Sequence, residues 1–126
     1  MKKQIAIIVG VLILVLAGAF FAQKDTGSNV YDSFATCIKD SGATFFGAFW
    51  CPHCREQKAM FGNSAKLLPY VECSSPDGQT QLAVCKDKGV GSYPTWDFAN
   101  GERVNGSMEL EDLAAKTGCV LPVPEK

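Results

Sequence analysis

The sequence predicts an α/β fold, a central mixed sheet flanked by helices. Three observations carry that prediction. Ala43–Trp50, ATFFGAFW, is a nearly unbroken apolar and aromatic run of strand length, segments of helical periodicity stand on either side of it, and Asn100-Gly101 separates two short strand-like stretches. The 126 residues leave room for one small domain once an N-terminal apolar block is set aside. Twelve Lys and Arg face thirteen Asp and Glu, a net charge of −1, so the chain lacks the basic footprint that phosphate neutralisation needs, which argues against nucleic acid as a partner. A composition of 47% hydrophobic and 20% charged residues excludes a disordered chain.

The elements follow in order. Lys2 and Lys3 precede an uncharged apolar run from Ile5 to Ala22. As a helix this run would measure roughly 27 Å, close to the hydrocarbon thickness, which favours an uncleaved membrane anchor over 1–22. Ala17-Gly18-Ala19 keeps a cleaved signal peptide open, and a buried core helix is the third reading. With the lysines retained inside, the rest of the chain faces the extracytoplasmic, oxidising side, where six cysteines make sense. Residues 23–29 read as a tether, 30–120 as the folded domain and 121–126 as a tail.

Val30, Phe34, Cys37 and Ile38 fall at helical spacing, with Asn29 as candidate cap and Gly42 as stop. Ala43–Trp50 is the expected central strand. Pro52 suits the first turn of a helix running to Phe61, before Gly62. A second strand is expected over Leu67–Cys73, a turn at Ser74–Gly78, and a polar helix over Gln79–Lys88 closed by Gly89. Pro94–Phe98 and Glu102–Val104 should pair through Asn100-Gly101. Ser107 is the candidate cap of a last helix carrying Met108, Leu110, Leu113 and Ala114 and ending at Gly118.

The chemistry concentrates at Cys51-Pro52-His53-Cys54, where the apolar strand gives way to a helix. Cys51 then occupies the cap position, where unpaired N–H groups and the positive end of the helix dipole favour its thiolate, the nucleophile of thiol–disulfide exchange. Cys54, one turn later, is placed to resolve a mixed disulfide. Pro52 fixes the first-turn backbone, and the His53 imidazole adds a donor or positive charge beside the sulfur. Other readings are a metal site, disfavoured because His53 is the only histidine and no second CxxC exists, a structural disulfide, disfavoured by its short loop, and His53 as an exposed bystander.

Trp50-Cys51-Pro52-His53-Cys54 on a strand-to-helix turn, followed later by Tyr93-Pro94-Thr95, resembles the thioredoxin superfamily. Phe49–Cys54 is similar to its periplasmic oxidase members with a CPHC centre. GAFWCPHCREQK from Gly47, Phe61-Gly62, PYVECS from Pro69 and SYPTW from Ser92 resemble, more closely, the thioredoxin-like domain associated with bacterial vitamin K epoxide reductase homologues. The resemblance spans Val30 to Cys119 and implies a thioredoxin-like fold. It also implies a cis Pro94 packed against the CPHC pair, with Trp50, Tyr93 and Thr95 at the substrate-binding face and the Tyr93 N–H and C=O free to pair with an extended segment. An aromatic residue before proline raises the cis tendency on its own account; a trans proline opening an edge strand is the alternative. One position departs from the family. Phe45 stands six residues before Cys51, where many relatives carry an acid, so the proton of Cys54 lacks its usual acceptor, and Glu56 or Lys58 acting through water are the candidates.

Cys73 and Cys85 bracket a turn and match a cysteine pair of the related domains, so they are expected to close a local disulfide worth about 3 kcal/mol. Cys37 and Cys119 remain, and pairing them would tie the domain's ends together. Six cysteines allow 15 connectivities, so this assignment rests on resemblance and proximity. The rival is that Cys73 and Cys85 shuttle electrons to Cys51 and Cys54.

The expectation is a membrane-tethered thiol–disulfide oxidoreductase that passes its Cys51–Cys54 disulfide to exported proteins. A quinone-linked membrane protein resembling vitamin K epoxide reductase would reoxidise it, with no cofactor beyond the disulfide and no metal. The alternatives are a reductase of the cytochrome-maturation type, metal or copper delivery through Cys51, His53 and Cys54, and an inert disulfide-bonded binding domain.

Overall fold

Phe45 and Phe46 are consecutive on one strand and therefore face opposite sides of the sheet, and each side gathers its own core. The structure, a computed structural model, describes residues 1–21 and 29–123, the side chains of 15–21 excepted. Its helices are α1 (Lys2–Phe21), α2 (Asp32–Asp40), α3 (Pro52–Met60), α4 (Ala83–Lys86) and α5 (Leu110–Thr117). Its strands are β1 (Thr44–Gly47), β2 (Tyr70–Glu72), β3 (Thr95–Asp97) and β4 (Arg103–Asn105), with a 3-10 segment at Gly62–Leu67 that the sequence reading missed.

The strands form one mixed sheet in the order β2-β1-β3-β4. β1 pairs parallel with β2 and antiparallel with β3, and β3 pairs antiparallel with β4 through the Asn100-Gly101 turn. The register sets Tyr70, Phe45, Trp96 and Val104 side by side across four strands. Phe45 stacks on Trp96 at 4.6 Å and meets Tyr70 edge-on at 5.1 Å, the cross-strand aromatic pairing that stabilises a sheet face. On this face Phe34, Ala35 and Ile38 of α2, Cys54 of α3, Phe61 and Leu113 of α5 complete the main core. Phe46 packs on the other face with Cys73, Cys85 and Val90.

The local departures have local causes. The helix expected over Gln79–Lys88 contracts to Ala83–Lys86 because the preceding residues fold back on β2: Ser75 N–H donates to Thr80 O, Leu82 N–H donates to Cys73 O, and Ser74 bridges Gln81. Those bonds use backbone groups that a helix would need. Asn29 does not cap α2, whose cap residue is Tyr31 with no side-chain bond; Asn29 contributes its backbone carbonyl to Asp32 N–H instead. Ser107 does not cap α5, which begins after Glu109, because its hydroxyl donates to the His53 carbonyl. β1 ends at Gly47, three residues short of Trp50, where the chain turns so that Cys51 N–H donates to Ala48 O.

The described apolar side chains of α1, Ile5 to Leu14, are exposed. Among the described residues no helix is long and apolar enough to cross a membrane, so the structure lends the expected N-terminal membrane segment no support. The side chains of the Ala17-Gly18-Ala19 motif, the tether up to Ser28 and residues 124–126 of the tail lie outside the described residues.

Candidate active site

β1 delivers the chain to the sheet's end, and the turn at Phe49-Trp50 places Cys51 at the cap of α3 with extended backbone, φ −76° and ψ 121°. Pro52 follows at the first helical position, where its missing N–H costs nothing. The Cys51 Sγ accepts the Cys54 N–H at 3.3 Å and lies 3.6 Å from the Tyr93 carbonyl, to which its S–H donates. A sulfur anion formed here meets an aimed N–H and the positive end of a helix. The Tyr93-Pro94 bond is cis. The Tyr93 carbonyl, expected to be free for substrate, is thus engaged by the thiol of Cys51.

Cys51 and Cys54 are free thiols and both are buried. Burial, followed by the hydrogen bond with Cys51, pushes the Cys54 thiol up to about 12. Cys54 is therefore protonated at neutral pH, and an attack by it requires a proton to leave.

The remaining predicted residues divide. Trp50 is half-exposed, donates its indole N–H to Ser74 Oγ at 2.9 Å and packs edge-on against Tyr93; Phe49 beside it is also exposed. His53 points outward and pairs with Glu56 at 3.1 Å, both well exposed, and its ring makes no hydrogen bond to either sulfur. Thr95, expected at the substrate-binding face, is fully buried, with its hydroxyl donating to Ser92 O at 2.7 Å, on a strand covered on both faces. Pro94 is buried as well. Cys37 is bonded to Cys119, joining α2 to the segment after α5, and Cys73 is bonded to Cys85, joining the end of β2 to α4. Among the described residues no group of three or more His, Cys, Asp or Glu side chains is placed to hold a metal ion.

Gln57 was not singled out from sequence, yet it fixes α3. Fully buried, it accepts the Met108 N–H at 2.7 Å and the Trp96 indole N–H at 3.3 Å, and donates to Met108 O at 3.0 Å. Tyr70 and Glu72 were likewise missed as individual residues. Their spacing on one strand puts both on the same sheet face, which was the available clue.

No protein-family model matches the chain. Thiol-disulfide oxidoreductase LTO1 of Arabidopsis thaliana is 44% identical over 105 residues, which cover 79% of this chain and 27% of that protein. Protein disulfide-isomerase of Aspergillus oryzae is 33% identical over 88 residues, 64% of this chain and 16% of that protein. Relatives and fold together support a thioredoxin-like superfamily assignment. The chain spans less than a third of either relative. On this thioredoxin-like scaffold a dithiol stands at a helix start beside a cis proline, and the relationships are consistent with a thiol–disulfide oxidoreductase.

Proposed function

We propose that the domain exchanges its Cys51–Cys54 disulfide with cysteines of exported proteins, acting outside the cytoplasm on an N-terminal membrane tether. The observation that carries this reading is the Cys51 sulfur at the start of α3, held between the Cys54 N–H and the Tyr93 carbonyl, with the second thiol buried one turn away. In the forward direction a substrate thiolate attacks Cys51 Sγ, a mixed disulfide forms and Cys54 leaves. A second substrate thiolate then attacks the substrate sulfur of that bond, and Cys51 departs as thiolate. The substrate loses two electrons and the Cys51–Cys54 pair gains them.

Regeneration runs the same chemistry backwards: Cys51 attacks a disulfide of the electron acceptor, and Cys54 attacks Cys51 to release it. The acceptor in this reading is a quinone-linked membrane protein of the vitamin K epoxide reductase type. The two disulfides, Cys37–Cys119 and Cys73–Cys85, support an oxidising compartment, and the exposed aromatic pair Phe49 and Trp50 supplies an apolar contact beside the nucleophile.

The test is the oxidised full chain mixed with a reduced, two-cysteine test protein. Oxidation of the test protein is expected, with Cys54→Ser accumulating a mixed disulfide through Cys51 and Cys51→Ser forming none. A reduction potential near about −120 mV supports the oxidase direction, whereas one near about −270 mV turns the reading into a reductase. A Cys51–Cys54 disulfide inert toward dithiols overturns it.

A further inference from the structure

Regeneration requires Cys54 to lose a proton in a place with few acceptors. Cys54 is 1% exposed, and the strand residue at the position family members fill with an acid, Phe45, is buried between Tyr70 and Trp96. Glu56, the nearest carboxylate along the helix, is exposed and bonded to His53.

The side of the sulfur toward β2 is different. Gly47 carries no side chain, and a Cβ there would stand 3.0 Å from Cys54 Sγ, 2.8 Å from Tyr70 Cε2 and 3.3 Å from Tyr70 Oη. The phenol and the sulfur therefore converge on space that only glycine leaves open. Tyr70 donates its hydroxyl proton to Glu72 Oε2 at 2.8 Å, so its oxygen keeps lone pairs free to accept a second proton. The other carboxylate oxygen of Glu72 takes the N–H groups of Phe49 at 3.2 Å and Ser74 at 2.9 Å, which holds the acceptor still. Lys58 Nζ lies 3.4 Å from the centre of the Tyr70 ring, where its charge favours negative charge developing on the phenol. A cleft of about 350 Å³ lined by Lys58, Ala65, Lys66, Leu68 and Tyr70 opens this ring to solvent.

We propose that Tyr70 and Glu72 form the proton relay for Cys54. As Cys54 attacks, its S–H proton passes to Tyr70 Oη while the Tyr70 proton passes to Glu72 Oε2. The electron pair freed on Cys54 forms the bond to Cys51 Sγ. The pair of the broken bond leaves with the acceptor's sulfur as thiolate, and Glu72 later returns its proton to water. Tyr70 stands across the Gly47 gap from the reacting sulfur, and Glu72 acts through it. The charged and titratable groups around Cys54 are Cys51 at the cap of α3, Lys58 of α3 and Tyr70 of β2, with Glu72 bonded to Tyr70 beyond it. Burial and then the bond to Glu72 push the Tyr70 phenol upward, so it conducts a proton without resting as phenolate.

The relay rests on the exchange reading, and one experiment separates the two. The reduced full chain is mixed with a symmetric aromatic disulfide whose released thiolate is coloured. Cys51 releases the first equivalent by attack, and Cys54 releases the second by resolving the mixed disulfide. Tyr70→Phe and Glu72→Gln are expected to leave the first phase unchanged and slow the second by about 100-fold at neutral pH, with the deficit closing as hydroxide takes over at high pH. Tyr70→Phe keeps the ring under Lys58 and leaves the Glu72 bonds to Phe49 and Ser74 in place, so it decides the matter even if Glu72→Gln disturbs the loop. A second phase in Tyr70→Phe with wild-type rate and pH profile overturns the relay alone, and so does a slowing that is the same at every pH. Absence of both phases in the wild type overturns the exchange reading and the relay with it.

Discussion

Cys54 and Cys73 are equally hidden from water, yet one keeps a free thiol and the other is closed into a disulfide. The difference lies in what surrounds each sulfur. Cys73 and Cys85 sit among Phe46, Val71, Val90 and the Tyr93 ring, an apolar cluster that offers a sulfur anion nothing. Cys51 and Cys54 share the same protein's core, but at a helix start, where an N–H aimed at Cys51 and the Lys58 charge near Cys54 favour the sulfur anion that thiol exchange uses. Burial alone therefore does not mark a cysteine as structural or reactive; the dipoles aimed at it do.

The sharpest test of this contrast removes whole pairs. Replacing Cys37 and Cys119 by Ala opens a loop with a sequence separation of 82 and should cost about 4.5 kcal/mol; replacing Cys73 and Cys85, separated by 12, should cost about 3 kcal/mol. Both variants should keep exchanging disulfides wherever they remain folded. Cys51→Ser should do the reverse, losing exchange while the urea midpoint barely moves. If the Cys73/Cys85 variant folds but cannot exchange, the second pair is an electron shuttle and the division drawn here is wrong.

A smaller effect comes from pH. The Cys54 thiol is an acid whose folded-state value is raised from 9.0 to about 12, so between those values the folded state holds a proton that the unfolded chain has released. Its contribution to stability is complete below pH 9 and falls away as pH rises toward 12. The reduced protein should accordingly lose stability on going from about pH 8 to about pH 10, and Cys54→Ala should flatten that slope. A neutral alkylating reagent at pH 8 should label Cys51 before Cys54, and equal labelling would count against the assignment.

The smallest effect belongs to the edge strand β4. Arg103 grips Asp97 with bonds of 2.6 and 2.8 Å, and this bonding holds the Asp97 carboxyl below its ordinary value. That contribution is present above an ordinary pKa of 3.8 and is lost as pH falls through the lowered folded value. Arg103→Met should lower the neutral-pH urea midpoint slightly and leave exchange rates untouched; the deficit should narrow in strong acid without closing, because the bonds from Arg103 to the Lys88 and Gly89 carbonyls do not titrate.

The part of this architecture legible in the sequence is the part written in contiguous residues. ATFFGAFW followed by Cys-Pro announces a buried strand running into a helix start, and Asn100-Gly101 announces a hairpin, because each is a local pattern with one economical backbone solution. What could not be read depends on partners far along the chain. Ser107 looked like a cap until the His53 carbonyl, 54 positions away, took its proton. Gln57 carried no local signal, and its amide is taken up by Met108 and Trp96, 51 and 39 positions away, together with the Met60 sulfur. The helix expected at Gln79 was overridden by bonds back to Cys73 and Ser75 that no local propensity predicts. Tyr70 and Glu72 gained meaning only when the parallel register brought β2 beside Gly47 and α3.

The Cys37–Cys119 bond also has a mechanical consequence. It fastens the first helix of the domain to the residues just beyond its last helix, so the sheet, α3 and both remaining cysteine pairs lie inside one covalent ring. Tension applied between the N-terminal segment and the C-terminal tail passes across that single bond and bypasses the hydrogen-bonded interior. Pulled by its two ends, the domain can thus bear load without its strands being sheared or its reactive dithiol displaced.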